Sequence, residues 1–361
     1  MYQPLVESGG RNIIYGMNFI PVKFGIVTGL LATLLAACAP AASGVPAAPA
    51  VVTRIVEVTA EVVTEVVVTA TPAPVTPTPK PAPASGKFAF KYNIDKSLPE
   101  DWVKEFKTIM QNIGEILPID PNIATYVKNN EMNIYAWNDA VMNPFSEAPN
   151  LSGQCICGDG PNNRWMVLEM NNWEFENKHI HRYAVIVHEY FHVYQIALSD
   201  NAMTPKWLVE GGAAALENLY IQQYYGETTF RDDMFKLPSE VFRNPMLFEK
   251  YSTSEKIDTG GSMFMNLALA KELQKQGISE QRAFEMIFRD FWIENGKLPK
   301  NDDSDGNNST RFVDWKKAFK TLFKMDVETF YSRLKSEYSA ADSNTALPSQ
   351  SLKIQEIFVS K

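Results

Sequence analysis

Histidine and cysteine are scarce in this chain: 361 residues hold 4 histidines and 3 cysteines. So few cysteines exclude a disulfide-dense scaffold. No long basic run occurs, and the net charge is −8 from 34 basic and 42 acidic residues. That balance argues against a nucleic-acid partner. No glycine loop follows a strand-like run, so phosphate-cradling nucleotide chemistry has no support. The first part of the chain also lacks the apolar variety that a core needs. Aromatics make up 12% of the residues, which suits a well-packed body downstream.

Against that scarcity, two of the histidines stand within one pentapeptide, His188-Glu189-Tyr190-Phe191-His192. Their spacing is i, i+4. On a helix this places them about 40° apart on one face, one turn above the other. Two imidazoles so placed can bind one tetrahedral zinc ion. Glu189 lies beside the first of them, where a carboxylate can take a proton from water at the metal. Further on runs Trp207-Leu208-Val209-Glu210-Gly211. A second helix carrying Glu210 supplies a third ligand and leaves a fourth position open, the mark of a catalytic site. The 17 residues between His192 and Glu210 are enough to end one helix, turn over Ser199 to Thr204 and return antiparallel. Gly211, Gly212, Ala213 and Ala214 are small and let the second helix approach the first. The bland alternative is a helix with two core histidines and a buried glutamate. An unpaired buried Glu189 would be costly there. For Glu210 the bland alternative is a surface glutamate favoured by a helix N-terminus.

The N-terminus reads as a secretion signal. Lys23 gives a weak positive region, and Phe24 to Ala37 is an apolar run too short for an ordinary membrane span. It ends in Leu35-Ala36-Ala37-Cys38, which resembles the lipobox of bacterial lipoproteins. Cys38 is then the lipidated residue, residues 1 to 38 are signal, and Met17 is a better start than Met1. Acyl chains on Cys38 would anchor the protein to a membrane. A plain cleaved signal with an incidental Cys38 is the alternative. Residues 39 to 86 are Val/Thr-rich, then Thr/Pro-rich, and read as an extended tether. The remaining cysteines, Cys155 and Cys157, have three readings: a disulfide, a second metal site, or two free thiols.

The folded body is expected over residues 87 to 340, with 341 to 361 as a tail. Its class is α+β and mainly helical: a small mixed N-terminal lobe, then a helical lobe, with the metal helices at the junction. Strands are expected at Phe88 to Tyr92, Asn133 to Trp137 and Trp165 to Met170. Apolar spacing predicts helices over Pro99 to Ile116, His181 to Leu198, Gly260 to Gly277, Glu280 to Trp292, Asp314 to Phe323 and Val327 to Tyr338. Pro205 to Tyr225 should form another, with Thr204 as N-cap, Pro205 at the first helical position and Gly226 as stop. Residues 143 to 163, rich in Gly, Pro and Asn, read as a long loop. His181 shares a face with His188 but lies about 10 Å along the axis, too far for the same metal. A surface histidine near the helix start is expected, and His179 says less. Asn301 to Gly306 resembles the opening of a calcium loop but lacks the closing glutamate, so a solvated linker is expected.

The run His188 to Gln195 together with Trp207 to Ala213 resembles the gluzincin branch of zinc metallopeptidases. It is particularly similar to the bacterial peptidase-MA-like domains, which pair H-E-x-x-H with W-x-x-E-G. The likeness spans residues 160 to 340 and includes Trp315-Lys316-Lys317-Ala318-Phe319 and Phe330-Tyr331. It implies a zincin-like fold with His188, His192 and Glu210 as Zn2+ ligands and Glu189 as general base. It also implies an edge strand above the metal that takes up substrate peptide; Trp165 to Met170 is the expected one. There are departures. The spacing to the third ligand is shorter than in thermolysin-like relatives. Glu169-Met170-Asn171 only faintly echoes a G-x-M-E-N motif. The tyrosine that relatives place before the later helix is missing from Ile257 to Gly261. Tyr251, Tyr220, Tyr224 and Tyr225 are candidates for its role, which stays unassigned. The expectation is an extracytoplasmic, lipid-anchored zinc peptidase acting on peptide or protein substrates. A zinc hydrolase of a non-peptide amide or ester is one alternative. A catalytically silent binding scaffold is another, against which an intact Glu189 argues.

Overall fold

Helical spacing becomes a helix where the chain first turns apolar. Trp102, Phe106, Ile109, Met110 and Ile113 are all buried on one face of α1 (Glu100–Ile116), and Glu100 and Asp101 occupy its first turn. Acidic groups there are favoured by the helix dipole. The computed structural model describes residues 88–158, 162–227, 229–230, 240–250, 259–299, 313–339 and 344–358. The signal, Met17, Cys38, the tether, Tyr251 and the calcium-like run Asn301 to Gly306 lie outside them.

Helix α1 connects two parallel strands, β1 (Ala89–Ile94) and β2 (Glu131–Asn138). β4 (Arg164–Met170) pairs parallel with the far side of β2. β3 (Gln154–Gly158) pairs antiparallel with β4, giving the order β1-β2-β4-β3. Two expectations fail here. Residues 143 to 163 are not all loop, because they contain β3. Trp165 to Met170 is not an edge strand, because β3 covers its outer side. The pentapeptide Gln154-Cys155-Ile156-Cys157-Gly158 has one strongly apolar residue, so it carries no readable alternation. Its pairing comes from the finished sheet.

The sheet is mixed and buried on both faces. Ile134, Ala136, Met166, Leu168 and Met170 face the helices in the main core. Tyr135, Trp137, Trp165 and Val167 form a second cluster on the other face, with Phe145, Leu151, Cys155 and Cys157 packed against it. Asn143 shapes the covering loop by donating to the carbonyls of Ala148 and Leu151 at 2.8 and 3.2 Å.

After β4 the chain is helical. A short α2 (Asn172–Glu176) leads to α3 (His181–Ser199), which is buried on nearly every side. A helix apolar all round belongs in the middle of a fold. It stops at Asp200 and Asn201, both at positive φ, a conformation that Asp and Asn tolerate. α4 (Lys206–Tyr225) follows and ends at Gly226 in the left-handed conformation. Thr204 is not its N-cap: Pro205 holds that position, no side chain caps the helix, and the Thr204 hydroxyl is buried without a partner among the described residues. Beyond lie α5 (Glu240–Arg243), α6 (Thr259–Lys275), α7 (Glu280–Glu285), a π-helical turn at Met286–Asp290, α8 (Phe291–Gly296), α9 (Trp315–Phe323), α10 (Val327–Glu337) and α11 (Ile354–Ile357). Ala346, Leu352, Ile354, Ile357 and Phe358 join the core, so part of the segment read as a tail packs on the body. The molecule is thus mainly helical α+β with a small mixed sheet.

Candidate metal centre

Helix α3 presents His188 and His192 one turn apart, with ring centroids 4.8 Å apart and planes crossed at 84°. Helix α4 faces them. Glu210 Oε2 lies 3.5 Å from His188 Nε2 and 3.4 Å from His192 Nε2. Two turns later on α4, Glu217 Oε2 lies 2.9 Å from His188 Nδ1. Contacts move back along α3 as α4 advances, so the two helices run antiparallel, as expected.

The far nitrogens of the two rings are fixed by their other partners. Gln195 Nε2 donates to the Val209 carbonyl at 3.1 Å. Its Oε1 is therefore the atom facing His192 Nδ1 at 2.8 Å. That oxygen only accepts, so Nδ1 carries a hydrogen, and Nε2, turned toward Glu210, is the ring atom left to ligate. At His188 the Glu217 carboxylate accepts from Nδ1 in the same way. When both rings are neutral, two Nε2 lone pairs and one carboxylate oxygen thus face a common point. Acceptors facing one another repel unless a cation lies between them. Ligands held 2.0–2.1 Å from a tetrahedral zinc ion are about 3.4 Å apart. The 3.4 and 3.5 Å separations of Glu210 from the two rings match that edge.

Two carboxylates compete for the third position. One ligand atom each from His188, Glu189 and His192 lies within 4.8 Å of the others. Glu210 sets one oxygen 3.4 to 3.5 Å from both Nε2 atoms, which makes it a candidate ligand beside Glu189. Glu189 is buried, and its Oε2 has no hydrogen-bond partner among the described residues. An orphaned buried carboxylate oxygen is costly and marks a place where a water or substrate group belongs. The side chain of Glu210 is 23% exposed against 13% and 11% for His188 and His192, so the site opens on the Glu210 side.

Charges follow this arrangement. Burial pushes the Glu189 carboxyl up, against the pull of His192 and His188. Burial also works to raise Glu210, but His192 and His188 hold it well below the usual carboxylate range. For His188, burial opposes the charged form and is outweighed by Glu217 and Glu210, so its affinity for a proton is raised well above normal. Protons and a metal ion would compete for this centre.

The small residues divide their work differently from expectation. A Cβ on Gly211 would lie 2.1 Å from the Ser262 carbonyl oxygen of α6, whereas Gly212 faces Phe191 and Gln195 of α3. Gly212 therefore permits the α3 approach, and Gly211 permits a second close approach by α6. Trp207 is buried, donates to the Tyr331 hydroxyl at 3.0 Å and stacks on Phe330. This ties the Glu210 turn to α10.

Sequence reasoning missed Glu217 and Gln195. The signals were there: Glu217 follows Glu210 by seven, and Gln195 follows His192 by three, both same-face spacings. His181 is partly exposed but not solitary, since its Nδ1 meets Glu174 Oε1 at 2.6 Å. Burial opposes its charge, and Glu174 more than compensates, raising its pKa. The tyrosine candidates are engaged elsewhere. Asn112 donates to the Tyr220 hydroxyl, Tyr225 donates to Glu105, and Gln355 donates to Tyr224.

On the sheet side, the register shows which backbone groups are open. Glu169 N–H donates to the Gly153 carbonyl at 3.0 Å, making 153/169 a hydrogen-bonded pair. Alternation along an antiparallel ladder then assigns Cys155 and Cys157 to bonds with Val167 and Trp165. Gln154, Ile156 and Gly158 turn their backbone groups outward. Among the described residues no strand pairs with that edge. Cys155 and Cys157 are joined by a disulfide. Compared with known proteins, the chain matches no protein-family model, no curated protein and no solved structure.

Proposed function

We propose that this protein is a zinc-dependent peptidase of the gluzincin type, secreted and held to a membrane through lipid on Cys38. The observation that carries the reading is one Glu210 oxygen lying 3.5 and 3.4 Å from two imidazole nitrogens, the edge length of a tetrahedral zinc site, with an unpartnered buried carboxylate beside them. His188, His192 and Glu210 would hold the ion. Zinc there supplies Lewis acidity, which acidifies water and polarises a carbonyl. Glu217 and Gln195 hold the two rings in the tautomer that ligation needs. Glu189 accepts a proton from water and delivers it to the departing amine nitrogen. Burial raises its pKa, which suits a group that must both take and give a proton near neutral pH. An extended peptide lies along β3, bonded to the outward groups of Gln154, Ile156 and Gly158, a recognition that reads backbone more than sequence.

The test is elemental analysis of the full chain beside digestion of a diverse peptide library. About one zinc per chain is expected, with cleavage blocked by a chelator and restored by zinc. A zinc-loaded protein that leaves the library uncut at near-neutral pH overturns the peptidase reading. A non-peptide amide or ester substrate, or a silent scaffold, would then take its place.

A further inference from the structure

We propose that the Cys155–Cys157 disulfide is a positioning element of the peptide-docking edge. The inference rests on the peptidase reading and deepens it by naming what holds the substrate strand in register. The crosslink spans Ile156, the central residue of β3. Its two cysteines are the residues whose backbone bonds to β4, and the one between them turns its N–H and C=O to the free edge. β3 has only five residues, and a short edge strand frays easily. Its cysteines lie on the face away from α3, against Tyr135, Trp137, Trp165 and Val167. The side chain of Ile156 packs on the opposite, helix-facing core. The sulfurs therefore lie on the face away from the metal helices, and they can meet an incoming peptide only through its side chains on that same face. They act through Ile156, by closing a ring around the residue that must present both hydrogen-bonding groups at once. Pre-organising a docking strand lowers the ordering cost of binding. Because the bonds to an edge strand read backbone, the effect should scale with the length of peptide lying on β3.

The experiment reduces the folded, zinc-loaded protein with a trialkylphosphine, since a dithiol would compete for zinc. The S–S bond breaks, phosphorus is oxidised to the phosphine oxide, and water supplies the oxygen and the two thiol protons. The Cys155→Ser/Cys157→Ser double variant serves as the second form. For peptides of six or more residues, KM should rise about 3- to 10-fold, the worth of one or two backbone hydrogen bonds. kcat and zinc content should hold, and a capped dipeptide should lose far less. Reoxidation should reverse the change in the reduced protein. An unchanged KM, an equal loss for long and short substrates, or loss of zinc overturns the proposal. Binding of the same peptides to zinc-loaded Glu189→Gln separates the two readings. Tight, reduction-sensitive binding without any cleavage by the wild type would sink the hydrolysis and keep the docking edge. No binding in either redox form would sink the docking edge.

Discussion

On the helical side of the site, α3 and α4 meet through buried charge: His188 between Glu210 and Glu217, and His192 between Glu210 and Gln195. On the sheet side, β3 offers only backbone. The first wall depends on side-chain identity at fixed spacing, and one atom changed there changes the chemistry. The second wall depends on register and pairing, and most side-chain changes leave it standing. On the proposed reading, chemistry and recognition are therefore carried by elements that can be broken separately.

The largest expected effect breaks the helical wall alone. Glu189→Gln keeps the shape of the side chain and removes the base. Turnover should fall by roughly 10²- to 10⁴-fold, with zinc content and KM near wild type. Steady-state kinetics with metal analysis checks this. Activity within twofold of wild type would mean another base, and a KM that rises in step with the fall in kcat would mean the two walls are not separable.

Next comes the support behind that wall. Gly211→Ala drives a methyl group to 2.1 Å from a backbone oxygen of α6, and backbone cannot step aside as a side chain does. A loss of about 3 kcal/mol or more is expected, read by denaturant unfolding. Gly212→Ala meets side chains alone, nearest the Phe191 ring edge at 3.3 Å and Gln195 Nε2 at 3.5 Å, and should cost about 1 kcal/mol. Equal effects at the two glycines would show that α4 is held in some other way.

A smaller change sharpens the contrast within the helical wall. Glu217→Gln preserves an acceptor for His188 but removes its negative charge. Removing such a partner typically weakens metal affinity by about 10- to 100-fold. Competition with a chromogenic chelator measures it. An unchanged affinity would make Glu217 a packing residue and not a partner of the metal.

The two walls also differ in how much of them can be read from the chain. α3 and α4 were legible because their apolar spacing is sustained over 19 and 20 residues, and the meeting of His188, His192 and Glu210 follows from i, i+4 spacing plus one turn. Expected ends were off by a residue or two, as at Pro205, where no side chain caps the helix. Glu217 and Gln195 needed the rotational setting of α4 against α3, which spacing suggests but does not decide. β3 was invisible, since a five-residue strand with one strongly apolar residue has no periodicity of its own. Missing it gave the edge role to β4. The open state of Cys155 and Cys157 had the same origin, because only strand register brings both sulfurs to one face.

The smallest effect lies behind the helical wall, where α6 is tied to α10. Glu272 is fully buried, with Lys275 Nζ at 2.6 Å, Arg333 at 2.5 Å and the Tyr338 hydroxyl at 2.8 Å. Burial would raise its pKa, but the bonds from Lys275, Tyr338 and Arg333 outweigh it and hold the carboxyl below its ordinary value. The sign follows from linkage: a carboxyl depressed in the folded state stabilises at pH above its unfolded pKa. That contribution disappears as pH falls through the folded value. Glu272→Gln should therefore cost about 2 kcal/mol at pH 7, with the gap from wild type closing below about pH 4. Unfolding curves of both proteins from pH 3 to 7 check it. Because α6 touches α4 at Gly211, the weakened tie in Glu272→Gln should loosen the helical wall, lowering zinc retention at pH 7 while the pairing of β3 with β4 stays as in wild type. A gap that does not change with pH would show that shape, and not charge, fixes Glu272 in place.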